Sequence, residues 1–232
     1  MSTRRLIVAI DGPAGAGKST VARHLAQYFG LLNLETGAMY RAFAYKALKK
    51  NTDPSDLEAL DQLSSETTIA LQPTPEGNRV LLDGVDVTGL LRNAEVTQAA
   101  SQVSVHPPIR AWMVHLQREM GRAGGVVMEG RDIGTVVFPD ADLKFFLDAS
   151  PEARSQRRYE QTGPNPAAAA TPEAIARELR ERDERDRNRA ESPLKPAPDA
   201  IVIDSTSLTL QEVLARIETI VTEKLAQAGP PR

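Results

Sequence analysis

The 232-residue sequence predicts an α/β fold built on a parallel sheet. Three observations predict it. A short apolar run at residues 5–10 ends in Asp11-Gly12, as a buried parallel strand does. A glycine-rich turn then opens a segment with helical spacing, Val21, Leu25 and Phe29 lying on one face. The strand-then-helix alternation repeats at once, with a strand at 31–34 and a helix at 39–50.

The elements follow in order. Residues 51–56, with Pro54, are a turn cluster, and beyond it the texture changes. Short apolar runs at 67–71, 79–82 and 85–87 are separated by Pro73, Pro75, Gly77 and Gly84, the pattern of a small antiparallel meander. Residues 66–90 therefore read as an insertion in an α/β core formed by 1–65 and 91–232. Helices are expected at 93–103 and 108–122, the second with proline in its first turn. Further strands are expected at 125–128, 143–147 and 200–203. Residues 151–161 read as a basic helix, 163–172 as a mobile loop rich in Pro and Ala, 173–190 as a long charged helix and 208–226 as the closing helix. The tail AQAGPPR is expected to fray, and no internal repeat is present.

Composition narrows the function classes. Apolar residues at 41% suffice for a core without staples. Acidic residues outnumber basic ones 31 to 28, for a net charge of -3, which argues against a dedicated nucleic-acid binder. The absence of cysteine excludes disulfides, thiolate metal sites and a thiol nucleophile. No apolar run reaches the about 18 residues of a membrane span. The N-terminal apolar stretch is too short for a signal-peptide core, so a cytoplasmic protein is expected.

The strongest motif is Gly12-Pro13-Ala14-Gly15-Ala16-Gly17-Lys18-Ser19, which fits G-x-x-x-x-G-K-[ST] with a strand before it and a helix after it. The glycines let backbone N–H groups turn inward around phosphate oxygens, and the helix start adds positive potential. Lys18 reaches β- and γ-phosphates, and the Ser19 hydroxyl is a ligand for Mg²⁺. The motif implies a nucleoside triphosphate with Mg²⁺ and leaves open kinase, GTPase and motor. The sequence has no Asn-Lys dipeptide, hence no guanine-reading motif, and is short for a motor. A second segment, Thr36-Gly37-Ala38-Met39-Tyr40-Arg41, places a hydroxyl, a glycine and an arginine at a helix start, which suits a second anion. On this segment alone a capped helix with a solvated Arg41 fits equally.

Six segments then carry a resemblance: IDGPAGAGKST (10–20), TGAMYRA (36–42), AASQVS (99–104), EGRDIGTVVFPDADLKFFLDAS (129–150), RERDERDRNRAESPL (180–194) and DAIVIDSTSL (199–208). In this order, over most of the chain, the sequence resembles bacterial cytidylate kinases, P-loop nucleoside monophosphate kinases. GRDIGTVVFPDA and RDERDRNR are more specific than the phosphate loop. The resemblance implies a five-stranded parallel sheet with flanking helices, a small β-rich monophosphate-binding insert at 66–90 and a helical lid at about 151–172. Glu35 stands where the family usually has Asp, and Glu129 stands where Asp also occurs.

What the resemblance implies about residues is specific. ATP is held by Gly12 through Thr20 and by Arg157. Cytosine is read by Ser101, Arg110 and Asp132: a carboxylate and a hydroxyl accept from the exocyclic amine, and arginine donates to N3 and O2. Thr36, Arg41 and Arg131, with Tyr40 beside them, hold the acceptor phosphate. Arg182 and Asp186 take the ribose and Arg189 the phosphates; the three fall at i, i+4 and i+7, on one face of the predicted helix. Lys18, Arg131, Arg154, Arg158 and Arg189 are the catalytic candidates, with Arg154, Arg157 and Arg158 as lid arginines. Pattern alone reads these charge-dense helices as solvated faces, with i,i+4 pairs such as Glu178–Arg182 and Glu181–Arg185. The implied reaction is ATP + CMP ⇌ ADP + CDP, with dCMP as second acceptor and no nucleic-acid polymer or membrane as partner. A monomer is expected. Two rivals remain at this point, a P-loop kinase for another small acceptor and a nucleotide-dependent switch or RNA-binding module.

Overall fold

The computed structural model describes residues 6–74, 77–162 and 171–227. The loop expected at 163–172 falls outside these residues except at its last two positions, as does most of the tail. Strand β1 (Ile7–Asp11) runs into the phosphate loop and α1 (Lys18–Phe29); β2 (Leu32–Glu35) runs into α2 (Thr36–Lys49). Then come α3 (Leu57–Ser65), the strands β3 (Ile69–Thr74), β4 (Gly77–Leu82) and β5 (Val85–Asp86), and the helices α4 (Ala94–Val103) and α5 (Pro107–Gly121). The chain closes with β6 (Val126–Gly130), β7 (Leu143–Asp148), α6 (Pro151–Thr162), α7 (Pro172–Asn188), β8 (Ile201–Asp204) and α8 (Leu210–Gln227).

Five strands form a parallel sheet in the order β2-β6-β1-β7-β8, and β3-β4-β5 form a separate antiparallel sheet. Side-chain alternation explains the two covered faces of the parallel sheet. Val8 and Ile10 of β1 face Val21 and Leu25 of α1 and Ile217 and Val221 of α8. Ala9, between them, faces the other way, with Met128, Val114 of α5 and Ile133. A further apolar cluster joins α2, α3, α4 and α5 to Ile69, Val80 and Leu82, so the small sheet shares its core with four helices.

Three sequence expectations are corrected. Residues 57–65 form α3, which the turn reading stopped short of. Asp56 caps it by accepting from the Ala59 N–H, and Leu60 and Leu63 bury one face. The second helix begins at Thr36, three residues early, because the chain turns directly out of β2. The long charged helix ends at Asn188, so Arg189 is its C-cap and leaves the helical face on which it was placed with Arg182 and Asp186.

Parallel register decides where chemistry can sit. Asp11 lies beside Gly130 and Glu35 beside Glu129, so β1, β2 and β6 end level. Their following turns converge at one edge of the sheet, where ligands bind in open α/β folds.

Candidate active site

The phosphate loop is built by backbone that only glycine allows at two points. Gly12 has φ 147°, and a Cβ there would lie 2.0 Å from the Leu147 carbonyl oxygen. Gly17 is the left-handed N-cap of α1, so the first helical N–H groups face the loop. Lys18 is buried, and its Nζ donates to the Pro13 carbonyl at 2.7 Å. Ala14 packs on Ile175 and Leu179 of α7. Gly15, Ala16, Gly17 and Thr20 line a cleft of ≈ 360 Å³ with Arg157 and Ser205. Ser19 Oγ donates to Glu129 Oε1 at 2.7 Å.

The second segment sits where the sequence expected it, with one difference. Thr36 does not cap α2; its hydroxyl donates to the Glu129 carbonyl at 2.8 Å, and Glu35 is the N-cap residue. Arg41 is not solvated but pairs with Glu35 through Nη2. Tyr40 lies beside them, 5.7 Å from the Arg110 guanidinium that faces its ring, and burial pushes its phenol up to about 12.

Asp132 and Arg110 form a buried pair at 2.5 Å, with side chains 6% and 3% exposed. Arg110 Nη1 also donates to the Ser104 carbonyl at 3.1 Å, and the Ser104 hydroxyl donates to the Ser101 carbonyl at 2.9 Å. The three residues expected to read a base are thus joined through Ser104. Arg131 Nε donates to Asp186 Oδ2 at 2.8 Å, and Arg189 Nη1 lies 3.6 Å from the other carboxylate oxygen. Burial alone would raise the Asp186 carboxyl, but Arg131, Arg182 and Arg189 hold it below the ordinary range. Neither Glu178–Arg182 nor Glu181–Arg185 forms an ion pair among the described residues, so this face of α7 is not a solvated ladder.

The lid arginines separate into three environments. Arg154 is buried, donating to the carbonyls of Ala14 and Ala149 at 3.0 Å and to Asp183 at 2.6 Å. These contacts strut the phosphate loop against α7. Arg157 donates to the Ser205 hydroxyl and carbonyl, at 3.0 and 2.5 Å, on the wall of the cleft. Arg158 is exposed on α6.

Sequence reasoning passed over Asp11. Its carboxylate accepts the N–H groups of Ile133 and Gly134 at 2.8 and 2.7 Å, fixing a π-type turn at Ile133–Val137 just after Arg131 and Asp132. Burial pushes this carboxyl up to about 7. The available signal was an acidic residue at the end of the first strand; its partners are more than a hundred residues away.

The electrostatics of the cluster are cationic. Burial lowers the Lys18 ammonium to about 7, and repulsion from Arg131 and Arg182 adds to the shift. Burial and Arg131 likewise bring Arg182 down to about 10. Ten buried side-chain polar atoms have no hydrogen-bond partner among the described residues, and five belong to residues expected to hold a nucleoside monophosphate: Tyr40 Oη and the Nε atoms of Arg41, Arg110, Arg182 and Arg189. Buried polar groups are satisfied as a rule, and these five are exceptions to it.

A family model described as cytidylate kinase matches residues 8–223. The chain belongs to the cytidylate kinase family. A cytidylate kinase of Geobacillus thermodenitrificans is 48% identical over 96% of this chain and 99% of its own length. One from Pelotomaculum thermopropionicum is 49% identical over 90% of this chain and 93% of its own. Among solved structures, an uncharacterized protein from Eubacterium ventriosum matches with a TM-score of 0.52 at 12% identity, covering 94% of this chain and 98% of that one, which shows a shared fold and no more. This member of the cytidylate kinase family is a nucleoside monophosphate kinase that phosphorylates CMP using ATP. No helix among its described residues is long and apolar enough to cross a membrane.

Proposed function

We propose that the converging turns at the sheet edge are the phosphoryl-transfer site, with ATP at the phosphate loop and CMP or dCMP between α2, α4, α7 and the turn after β6. The observation that carries this reading is the set of five buried polar atoms without a hydrogen-bond partner in residues expected to hold the monophosphate, together with the mutually repelling Lys18, Arg131 and Arg182. Donor atoms left without acceptors, beside cations that repel one another, are what a phosphorylated nucleoside complements.

The roles follow from placement. Gly12, Pro13, Ala14, Gly15, Ala16, Gly17, Ser19 and Thr20 wrap the donor phosphates, and Arg157 and Ser205 border the donor base. Lys18 leaves the Pro13 carbonyl for the β- and γ-phosphates. Arg41, Tyr40, Thr36 and Arg131 take the acceptor phosphate; Arg182 and Asp186 take the ribose; Ser101, Arg110 and Asp132 take cytosine. Arg158, Arg189 and Arg131 neutralise charge on the transferring group, and Arg154 keeps the loop in place. Residues 66–90 serve as the monophosphate-binding insert and 151–172 as the lid.

The acceptor phosphate, with a second pKa near ~6, is already largely ionised at neutral pH. No protein base is required, and alignment with charge neutralisation supplies the catalysis. Mg²⁺ fits as a companion of ATP. Its candidate donors are oxygens only, Ser19 Oγ with Glu129 behind it. No group of three or more His, Asp or Glu side chains converges among the described residues. Bound there, the ion neutralises phosphate charge. The enzyme is expected to act in the cytoplasm as a monomer.

A coupled ADP-release assay with Mg-ATP against CMP, dCMP, UMP, AMP, GMP and shikimate tests the reading. Turnover strongest with CMP and dCMP is expected; preference for another acceptor would discard the roles of Ser101, Arg110 and Asp132. Asp186→Ala tests the ribose side. Losing a buried carboxylate that holds two arginines is expected to raise KM for CMP about 10–100-fold and KM for ATP less than about threefold. Equal weakening of both substrates contradicts the assignment.

A further inference from the structure

Sequence alone gives Arg185 an ordinary role, one more charge on a helix face with Glu181 four residues before it. The structure assigns it another partner. Arg185 Nε donates to the Ser101 hydroxyl at 3.1 Å, across 84 positions of chain, and its guanidinium makes no ion pair with Glu181.

The state of the Ser101 hydroxyl makes this contact informative. Serine and threonine hydroxyls inside helices commonly return their hydrogen to a carbonyl one turn back. Thr97 in α4 does so, donating to the Asn93 carbonyl at 2.8 Å, and Ser104 donates to the Ser101 carbonyl at 2.9 Å. The buried Ser101 hydroxyl, between them, donates to no group among the described residues. A hydroxyl offers one hydrogen and two lone pairs. The Arg185 N–H occupies one lone pair, which leaves the hydrogen and the other lone pair for a ligand. A cationic donor also polarises the O–H it binds.

The bond extends a chain of contacts. Ser101 is tied through its carbonyl to Ser104, through Ser104 to Arg110, and through Arg110 to Asp132. Arg185 continues that chain onto α7, one residue from Asp186 and three from Arg182. The base-reading group and the ribose-reading group are therefore joined at this contact.

We propose that Arg185 is a positioning residue for base recognition: its Nε–H holds the Ser101 hydroxyl off its own helix and in register with the nucleotide gripped by α7. The proposal rests on the reading above that Ser101 contacts the base.

A double-variant cycle tests it, with KM for CMP and for ATP measured on Arg185→Met, Ser101→Ala and the pair. Arg185→Met is expected to raise KM for CMP about tenfold, as loss of a charge-assisted hydrogen bond does, with KM for ATP unchanged. On the Ser101→Ala background the same substitution is expected to change KM for CMP less than about twofold, because its target is gone. Arg185→Lys keeps the charge and the stem but lacks the N–H at that point, and the same loss as methionine is expected. Full effect of Arg185→Met on the Ser101→Ala background, or restoration by lysine, would overturn the positioning role and leave base reading by Ser101 standing. No change in CMP use on Ser101→Ala alone would overturn both.

Discussion

Replacing Lys18 by alanine is expected to lower kcat about 10³-fold or more while the fold survives. Charge on the transferring phosphoryl group develops where the lysine ammonium can reach it, and a buried cation acts there at low dielectric, with no solvent to reorganise. Lys18 is 5% exposed and rests on the Pro13 carbonyl, a weak partner that a phosphate oxygen is expected to displace. Stability separates lost chemistry from unfolding. The unfolded chain keeps this proton up to 10.5, whereas burial lowers the folded value to about 7. Between those values the unfolded state binds more protons, so this group's contribution improves as pH rises and is most unfavourable below about 7. Alanine removes that cost, so the thermal midpoint at pH 7 should not fall. Thermal melting with the ADP-release assay checks both halves, and near-normal turnover removes Lys18 from the mechanism.

The contrast between Lys18 and its neighbours shows what a sequence can and cannot reveal. Lys18 was legible because its environment is local: strand, loop and helix are contiguous, and three glycines at fixed spacing fix the geometry. The parallel sheet was legible for the same reason, through short apolar runs alternating with helical periods. Helix α3 was missed although Asp56 and Leu57, Leu60 and Leu63 carry a cap and an apolar face; nine residues give a weak period beside a proline-bearing turn. Asp11, Arg154 and Arg185 were illegible in kind. Each acts on groups more than eighty residues away or in a loop brought near only by strand register. A charged residue on a charged helix gives no hint whether it faces water or a buried partner. Arg189 fell outside its predicted face because the helix ends one residue before it, a boundary set by how the chain departs toward Ser192.

Asp132→Ala is expected to narrow the kcat/KM preference for CMP over UMP about 10²-fold or more. Cytosine presents an amine and two acceptors, and uracil reverses the polarity at two of these positions. Discrimination of this kind comes from buried groups left unmatched by the wrong base, and the Arg110–Asp132 pair is almost wholly removed from solvent. Removing the carboxylate lets uracil bind without an opposed acceptor, so activity with CMP falls while activity with UMP holds. The same change strands Arg110, whose remaining contacts are the Ser104 carbonyl and the face of Tyr40, and should cost about 3–5 kcal/mol of stability. The two effects are separable. Replacing both partners, Arg110→Met with Asp132→Leu, removes the uncompensated charge and should recover most of the stability but none of the selectivity. A double variant that regained preference for CMP, or an Asp132→Ala enzyme with an unchanged ratio, would move base reading away from this pair. Recovery of the thermal midpoint alone would show that the buried pair serves recognition, since apolar side chains of similar volume hold the fold as well.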